Sequence, residues 1–267
     1  IGAGHIAIKM ASTLNAMQSA EPYGIAARDR SKAEAFAAAH NITKAYGSYK
    51  ELADDPDVDL IYIATPHSLH YAHARMCLER GKAVLCEKAF TANAAEAEEL
   101  IHLSQSKGIF LAEAIWTRYM PFSRTIAEIA ASGAIGTPHI LSAHLGYPVG
   151  TVERILRPEL GGGALLDLGV YTLNFASMCF GEEIARIDSA CTLSETGVDL
   201  QESITLRFAD GKARVVCGCY VNSTCYFLNI ARNGNYSSPA IAEGQKVEIH
   251  ATGYDAVGNE TGTVTMA

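Results

Sequence analysis

Short, nearly uninterrupted apolar runs alternate with helical patterns through the first half of this chain, and that alternation limits its fold more than any other feature. PYGIAA (22–27), VDLIYIATP (58–66), AVLC (83–86) and IFLAEA (109–114) read as strands. A strand that is apolar on both faces wants cover on both faces, as in a parallel sheet. Between the runs lie SKAEAFAAAH, HSLHYAHARMCLERG and AAEAEELIHLSQSKG, each with helical character and the last two closing on Gly81 and Gly108. This βαβα order predicts an α/β doubly wound parallel sheet.

After residue 120 the pattern changes. A helix over about 121–132 leads to the long strand HILSAHLGY, a glycine-rich bend and a helix from about residue 164. RIDSACTLSE, QESITLRFA, ARVVCGCYV and TCYFLNIAR then follow as β-rich runs. They predict an α+β domain, an open antiparallel sheet with one helix packed on it. Near Asn233 the composition shifts to loop-like NGNYSSPAIAEGQ and a small, polar end. The expected divisions are therefore 1–120, a doubly wound α/β domain; 121–232, an α+β domain; and 233–267, an atypical β-rich tail. Because the sequence opens on Ile1 directly ahead of a glycine pattern, its first strand is expected to be truncated, with residues upstream.

Charge and cysteines narrow the classes. A net charge of -8 is the wrong sign for a nucleic-acid surface. No apolar run approaches the roughly 20 residues that span a bilayer. Seven cysteines, without a CxxC pair or zinc-like spacing, read as reduced core thiols of a cytoplasmic protein, with no metal site.

Gly2-Ala3-Gly4-His5-Ile6-Ala7 is GxGxxA, placed before an apolar helix and one unit ahead of a strand. Gly2 suits a tight turn, Gly4 lets the backbone approach a pyrophosphate, and Ala7 permits close helix–sheet packing. The helix N-terminus at His5 and Ile6 offers N–H donors to phosphate. From Gly4 to Arg28 is 28 − 4 = 24 residues, about where a ribose-reading side chain belongs. Arg28 suits the 2′-phosphate of NADP, whereas Asp29 keeps NAD open. Asp167 and Tyr171 lie four apart after Gly161-Gly162-Gly163, so in a helix they share one face. AVLC ends abruptly in Glu87 and Lys88, charges that ask for a task at the tip of a buried strand.

IGAGHIA, YIATPHSLH, GKAVLCEKAF, EAIWTRYMP and GGGALLDLGVY occur in that order. Together they resemble the Gfo/Idh/MocA oxidoreductase family, in particular the branch with dimeric dihydrodiol dehydrogenase and NADP-linked D-xylose dehydrogenase. The resemblance covers residues 1 to about 230 and implies that 1–120 is a dinucleotide-binding Rossmann domain and 121–232 a substrate and dimerisation domain. It implies hydride transfer between a nicotinamide and a secondary alcohol of a sugar, polyol or cyclic trans-diol. It places Lys88 where it reaches both the nicotinamide ribose and a substrate hydroxyl, with Glu87 beside it as a ribose or orienting group. It puts Tyr171 at the proton-transfer position, assisted by Lys88, and gives Asp167 the orientation of the substrate or the lysine. Thr65, Pro66 and His70 fall where the family contacts the dinucleotide; His67, in place of a frequent Asn, reads as a helix cap. Arg118 is expected to contact substrate, and Trp116 either to line the same pocket or to pack in a core.

Two departures from the family pattern stand out. Ala89 follows the lysine where Pro, joined by a cis bond, is common, and the family pattern fails from Asn233 on. VEIHATGYDAVGNETGTVTMA resembles the end of a bacterial immunoglobulin-like repeat, a foreign element to this family. In relatives the open face of the sheet forms a homodimer, which is expected here if that sheet is complete. A non-catalytic NADP-binding protein is the alternative reading.

Overall fold

The computed structural model describes residues 1–147, 149–150, 152–209, 214–220, 249–254 and 260–266. The chain divides into two compact units, Ile1–Ile115 with Glu159–Gly161, and Trp116–Pro158 with Gly162–Ala267.

In the first unit α1 (His5–Ala16), β1 (Gly24–Ala26), α2 (Arg30–His40), β2 (Lys44–Tyr46) and α3 (Tyr49–Asp54) come first. β3 (Leu60–Ile63), α4 (His70–Glu79), β4 (Ala83–Cys86), α5 (Ala94–Lys107) and β5 (Leu111–Glu113) follow. β1 pairs with β2, and β3, β4 and β5 pair in that order, every pair parallel. The backbone of Ile1 and Gly2 links the two groups: the Ile1 amino group donates to Tyr62 O (2.8 Å), Ala64 N to Ile1 O (2.8 Å) and Gly2 N to Ala26 O (3.1 Å). A cavity of about 520 Å³ lies beside them, lined among others by Met10, Leu14, Ile25 and Ile61. Ile61, Ile63 and Val84 of the expected apolar strands, with Leu78 and Leu100 of α4 and α5, are fully buried, each stabilising the unit by roughly 1.5–3 kcal/mol relative to exposure.

Local chemistry explains the boundaries. Asp29 caps α2, and Asn41 closes it in the left-handed region that Asn tolerates. Asn93 accepts from Glu96 N while Glu96 Oε2 accepts from Ala92 N, and α5 ends at left-handed Gly108. β2 and α3 were absent from the sequence expectation. At three and six residues they are too short for periodicity, although Ser48, which caps α3 at Glu51 N, is a start signal.

At the edge of this unit the Asp55 carboxylate accepts from Tyr46 Oη (2.5 Å) and Lys44 Nζ (3.1 Å). The Tyr46 hydroxyl, then the Asp57 backbone N–H and Lys44, hold its carboxyl well below the usual carboxylate range. A depressed carboxyl contributes stability that is present above its unfolded value of about 4 and lost as pH falls below it. Acid denaturation followed by circular dichroism should accordingly have a shallower pH dependence in Asp55→Asn than in the parent.

In the second unit α6 (Pro121–Ser132) carries Pro at its first position and left-handed Gly133 after it. β6 (Ile140–Gly146), α7 (Val170–Phe180), β7 (Ile184–Leu193), β8 (Asp199–Phe208) and β9 (Arg214–Tyr220) follow. The sheet order is β6-β9-β8-β7. It is mixed, a correction to the all-antiparallel expectation: β7–β8 and β8–β9 are antiparallel, but β6 lies parallel to β9. β6 is joined to the meander by a helical crossover, and such a connection can deliver a parallel neighbour. Ala176 of α7 packs with Ile204, Leu206 and Phe208 of β8. β10 (Ile249–Tyr254) and β11 (Glu260–Met266) form an antiparallel pair. The expected strand TCYFLNIAR (224–232) and the loop after Asn233 lie outside the described residues.

One helical stretch, Pro158–Phe180, is long and apolar enough by length and composition to cross a membrane, where the sequence reading found none. That reading started the helix at about 164, whereas helical turns begin at Pro158. Ala164, Leu168, Thr172 and Ala176 of this stretch are buried in the protein.

Candidate active site

The nucleotide end is built on the glycine pattern. Gly2 sits at φ +93°, and a Cβ there would lie 2.7 Å from Ala64 O, so only glycine fits. Around Gly4 a Cβ would meet nothing within 4 Å, which leaves its backbone open to an approaching group. α1 starts with no side-chain cap and no acidic residue in its first turn. His5 and Ile6 are exposed, while Ala7 and Ala11 pack on Ile25 and Phe36. An uncapped helix start with an open glycine suits a dinucleotide's phosphates.

Arg28 and Asp29, both exposed, follow β1. The Asp29 carboxylate is already engaged, accepting from Ser31 N (2.9 Å) and Ser31 Oγ (2.7 Å). Arg28 makes no ion pair among the described residues.

The turn after β3 is held from beneath. His70 is fully buried, with Nδ1 2.7 Å from Ala89 O and Nε2 2.8 Å from Thr65 O. Both neighbours are acceptors: burial draws the ring towards its neutral form, while the two carbonyls favour the doubly protonated one. His70 therefore ties the loop after β3 to the loop after β4 through their backbones and presents no ring edge to solvent. His73 Nδ1 stands 3.1 Å from Thr65 Oγ1, and burial pushes its pKa down to about 4. His67, also buried, donates from Nδ1 to Gly161 O (2.8 Å), and Pro66 precedes the 3₁₀ turn that carries it.

Lys88 follows directly on β4, and the Lys88–Ala89 bond is cis. That decides the question that Ala89 leaves open in the sequence. Glu87 is fixed beside it, accepting from Tyr62 Oη and from Lys88 N. Glu113, at the tip of β5, accepts from Phe90 N at 3.0 Å. Residues 87–90 are thus held by Tyr62, His70 and Glu113, three side chains that sequence reasoning either left out or gave to the cofactor.

In the second unit Trp116 Nε1 donates to Tyr171 Oη at 3.2 Å, the rings meeting edge-on with centroids 6.2 Å apart. Trp116 is 58% exposed, which assigns it to a surface rather than to a core. Arg118 turns towards α7, donating to Asn174 Oδ1 (2.8 Å) and Ser177 Oγ (3.2 Å). Asp167, 7% exposed, lies in a π-helical turn, Leu165–Gly169, that runs into α7 just before Tyr171. Such single π turns concentrate at functional sites.

Gly162 and Gly163 shape this turn. A Cβ on Gly162 would stand 2.3 Å from Ile155 O, and one on Gly163 2.0 Å from Asp199 Oδ1. Glycine at both lets residues 153–156 and β8 close on the turn: Gly163 N donates to Ile155 O (2.9 Å) and Leu165 N to Asp199 Oδ2 (2.5 Å). Arg154 then donates from Nη2 to Asp167 Oδ1 at 3.0 Å. Sequence reasoning missed Arg154 and Asp199, which sit 13 and 32 residues from Asp167 with no pattern linking them. No group of three or more His, Cys, Asp or Glu side chains among the described residues is arranged to hold a metal.

Comparison with known proteins supplies the frame. A model described as an oxidoreductase family with an NAD-binding Rossmann fold matches residues 1–114, and the Gfo/Idh/MocA C-terminal domain model matches residues 123–252. The chain is 42% identical over 214 residues to trans-1,2-dihydrobenzene-1,2-diol dehydrogenase of Mus musculus, covering 79% of this chain and 64% of that protein. Against the Xenopus laevis enzyme of the same name it is 44% identical over 206 residues, covering 77% and 62%. It thus spans a little under two thirds of these relatives. A mutant 3-ketoreductase from Actinomadura kijaniata, solved with TDP-benzene and NADP, superposes with a TM-score of 0.77 at 25% identity, over 83% of this chain and 69% of that one. An NAD-binding oxidoreductase from Klebsiella pneumoniae gives 0.71 at 27% identity, over 82% and 65%.

Proposed function

We propose, from the premise that this chain belongs to the Gfo/Idh/MocA oxidoreductase family, that it is an NADP-preferring dehydrogenase acting on a secondary alcohol of a cyclic trans-diol, polyol or sugar. The observation that carries this reading is the Trp116–Tyr171 pair. An indole N–H fixes the phenol oxygen of the one residue to which the family motif gives proton transfer. Relatives named for a trans-diol substrate support the substrate class. In the ketoreductase, one solved variant replaces a tyrosine by phenylalanine and another a lysine by alanine, the two residue types assigned here.

When bound, the nicotinamide supplies the hydride acceptor or donor. The chain's own residues bind, orient and move the proton. Gly2, Gly4 and the first turn of α1 would hold the pyrophosphate. Thr65, Pro66, Glu87 and Lys88, beyond the carboxyl ends of β3 and β4, would hold the rest of the cofactor. Tyr171 Oη takes the alcohol proton in oxidation and returns it in reduction. The role the family gives Lys88 is to support the charged phenol oxygen, and Asp167 would accept from a substrate hydroxyl.

NADP is preferred over NAD because Asp29, the side chain that would accept from a ribose 2′-hydroxyl, is spent on capping α2. Arg28 is the group left for a 2′-phosphate. Arg28→Ala should weaken NADPH at least about tenfold, roughly one charge-assisted contact, and leave NADH nearly unchanged. Fluorescence titration with both cofactors checks this; equal losses would refute the assignment. The same reading takes the protein to be a cytoplasmic homodimer. The activity itself is tested by NADP⁺ reduction with trans-1,2-dihydrobenzene-1,2-diol and a panel of sugars and polyols. A folded chain that binds NADPH and turns over none of them would instead be a cofactor-binding protein without catalysis.

A further inference from the structure

We infer that Arg154 is a positioning residue for Asp167, holding that carboxylate ionised and aimed for substrate. The inference rests on the assignment of Asp167 to substrate orientation. Asp167 is nearly buried, and a buried carboxylate stays charged only when it is paired or hydrogen-bonded. Arg154 Nη2 supplies such a bond at 3.0 Å. The arginine is brought there by the backbone: Gly162 and Gly163 let the 3₁₀ turn Glu153–Leu156 lie directly on the π turn. A guanidinium suits the task because it is always charged and its fork holds a fixed direction.

The pairing is not one that fold stability alone would select. Among the described residues, Arg154 Nη1 is buried and has no hydrogen-bond partner. A buried N–H without an acceptor is a cost that folded proteins rarely carry, and such groups concentrate where a function uses them. Replacing the pair by apolar groups would relieve that cost, so retaining the charge argues for a task at Asp167.

The test compares Arg154→Ala, Arg154→Lys, Asp167→Asn and the double variant Arg154→Ala/Asp167→Asn in the full chain. Turnover of trans-1,2-dihydrobenzene-1,2-diol gives kcat and KM. Binding of the diol to the NADPH-loaded protein, followed through Trp116, the only tryptophan, gives a readout independent of turnover. Arg154→Ala should lose about 10–100-fold in kcat/KM and weaken diol binding, while NADPH affinity holds. Added guanidinium should restore part of the loss, and Arg154→Lys, which keeps the charge, should fall between. The double variant should be no worse than Asp167→Asn alone. If Arg154→Ala binds and turns over the diol like the parent while Asp167→Asn does not, the role of Arg154 is overturned and that of Asp167 stands. If Asp167→Asn is itself unaffected in both readouts, both assignments fall. A loss that neither guanidinium nor lysine repairs, and that adds to Asp167→Asn, would make Arg154 a structural residue and overturn the inference.

Discussion

Tyr171→Phe should bind NADPH as the parent does and turn over at least about 10³-fold more slowly, within the range that general acid–base groups contribute. The substitution keeps the ring, and with it the edge-on contact to Trp116 at 6.2 Å between centroids. It removes only the oxygen that accepts from Trp116 Nε1 and that would exchange a proton with substrate. Little packing is lost, because α7 is anchored through Thr172 and Ala176 rather than through Tyr171. A fall in kcat at unchanged melting temperature and unchanged NADPH affinity is therefore the expected signature. A Phe variant with parental kcat would remove Tyr171 from the chemistry and shift the proton path to another group.

Gly162→Ala should be among the most damaging single methyl groups at the described residues of the second unit. Its Cβ would be 2.3 Å from Ile155 O, 2.8 Å from Ile155 C and 2.9 Å from Arg154 O. All three are backbone atoms, which cannot swing aside as the end of a flexible side chain can. Overpacking costs typically 1–3 kcal/mol and occasionally more, and with backbone on the opposite side we expect about 3 kcal/mol. That corresponds to a fall in Tm of roughly 6–12 °C for a protein of this size. The relief would come from pushing residues 153–156 off the π turn, so Arg154 should lose Asp167 and activity should fall beyond the effect on stability. Calorimetry together with kcat/KM, measured well below the melting transition, separates the two effects. A Gly162→Ala protein with parental Tm and activity would mean that the approach of these segments is far looser than the distances indicate.

The elements legible in the sequence were those with strong local determinants. α6 runs over the expected 121–132 because Pro121 and Gly133 fix both ends, and β4 matches AVLC because it is short, apolar and bounded by charge. β2 escaped notice because three residues carry no period. The π turn escaped because nothing in LLDLG distinguishes one extra residue from a regular helix. At the candidate site, the residue types named by the family motifs were readable, but their supports were not. Tyr62, Glu113 and Arg154 contact residues 25, 23 and 13 positions away, and such pairings leave no trace in a local pattern. Trp116 was readable as a pocket residue or a core residue, and its exposure together with the bond to Tyr171 separates the two.

The π turn at Leu165–Gly169 has a consequence for how this protein can change. In a regular helix the identity of a residue is the main variable. Here the number of residues matters as well, because losing one would restore regular winding and rotate everything before it about the helix axis. Asp167 would then point elsewhere with its own chemistry unaltered. The segment therefore offers evolution two independent dials, a substitution that changes a group and an insertion or deletion that re-aims it. Relatives with different substrates can differ by the second dial while keeping every residue type of the first.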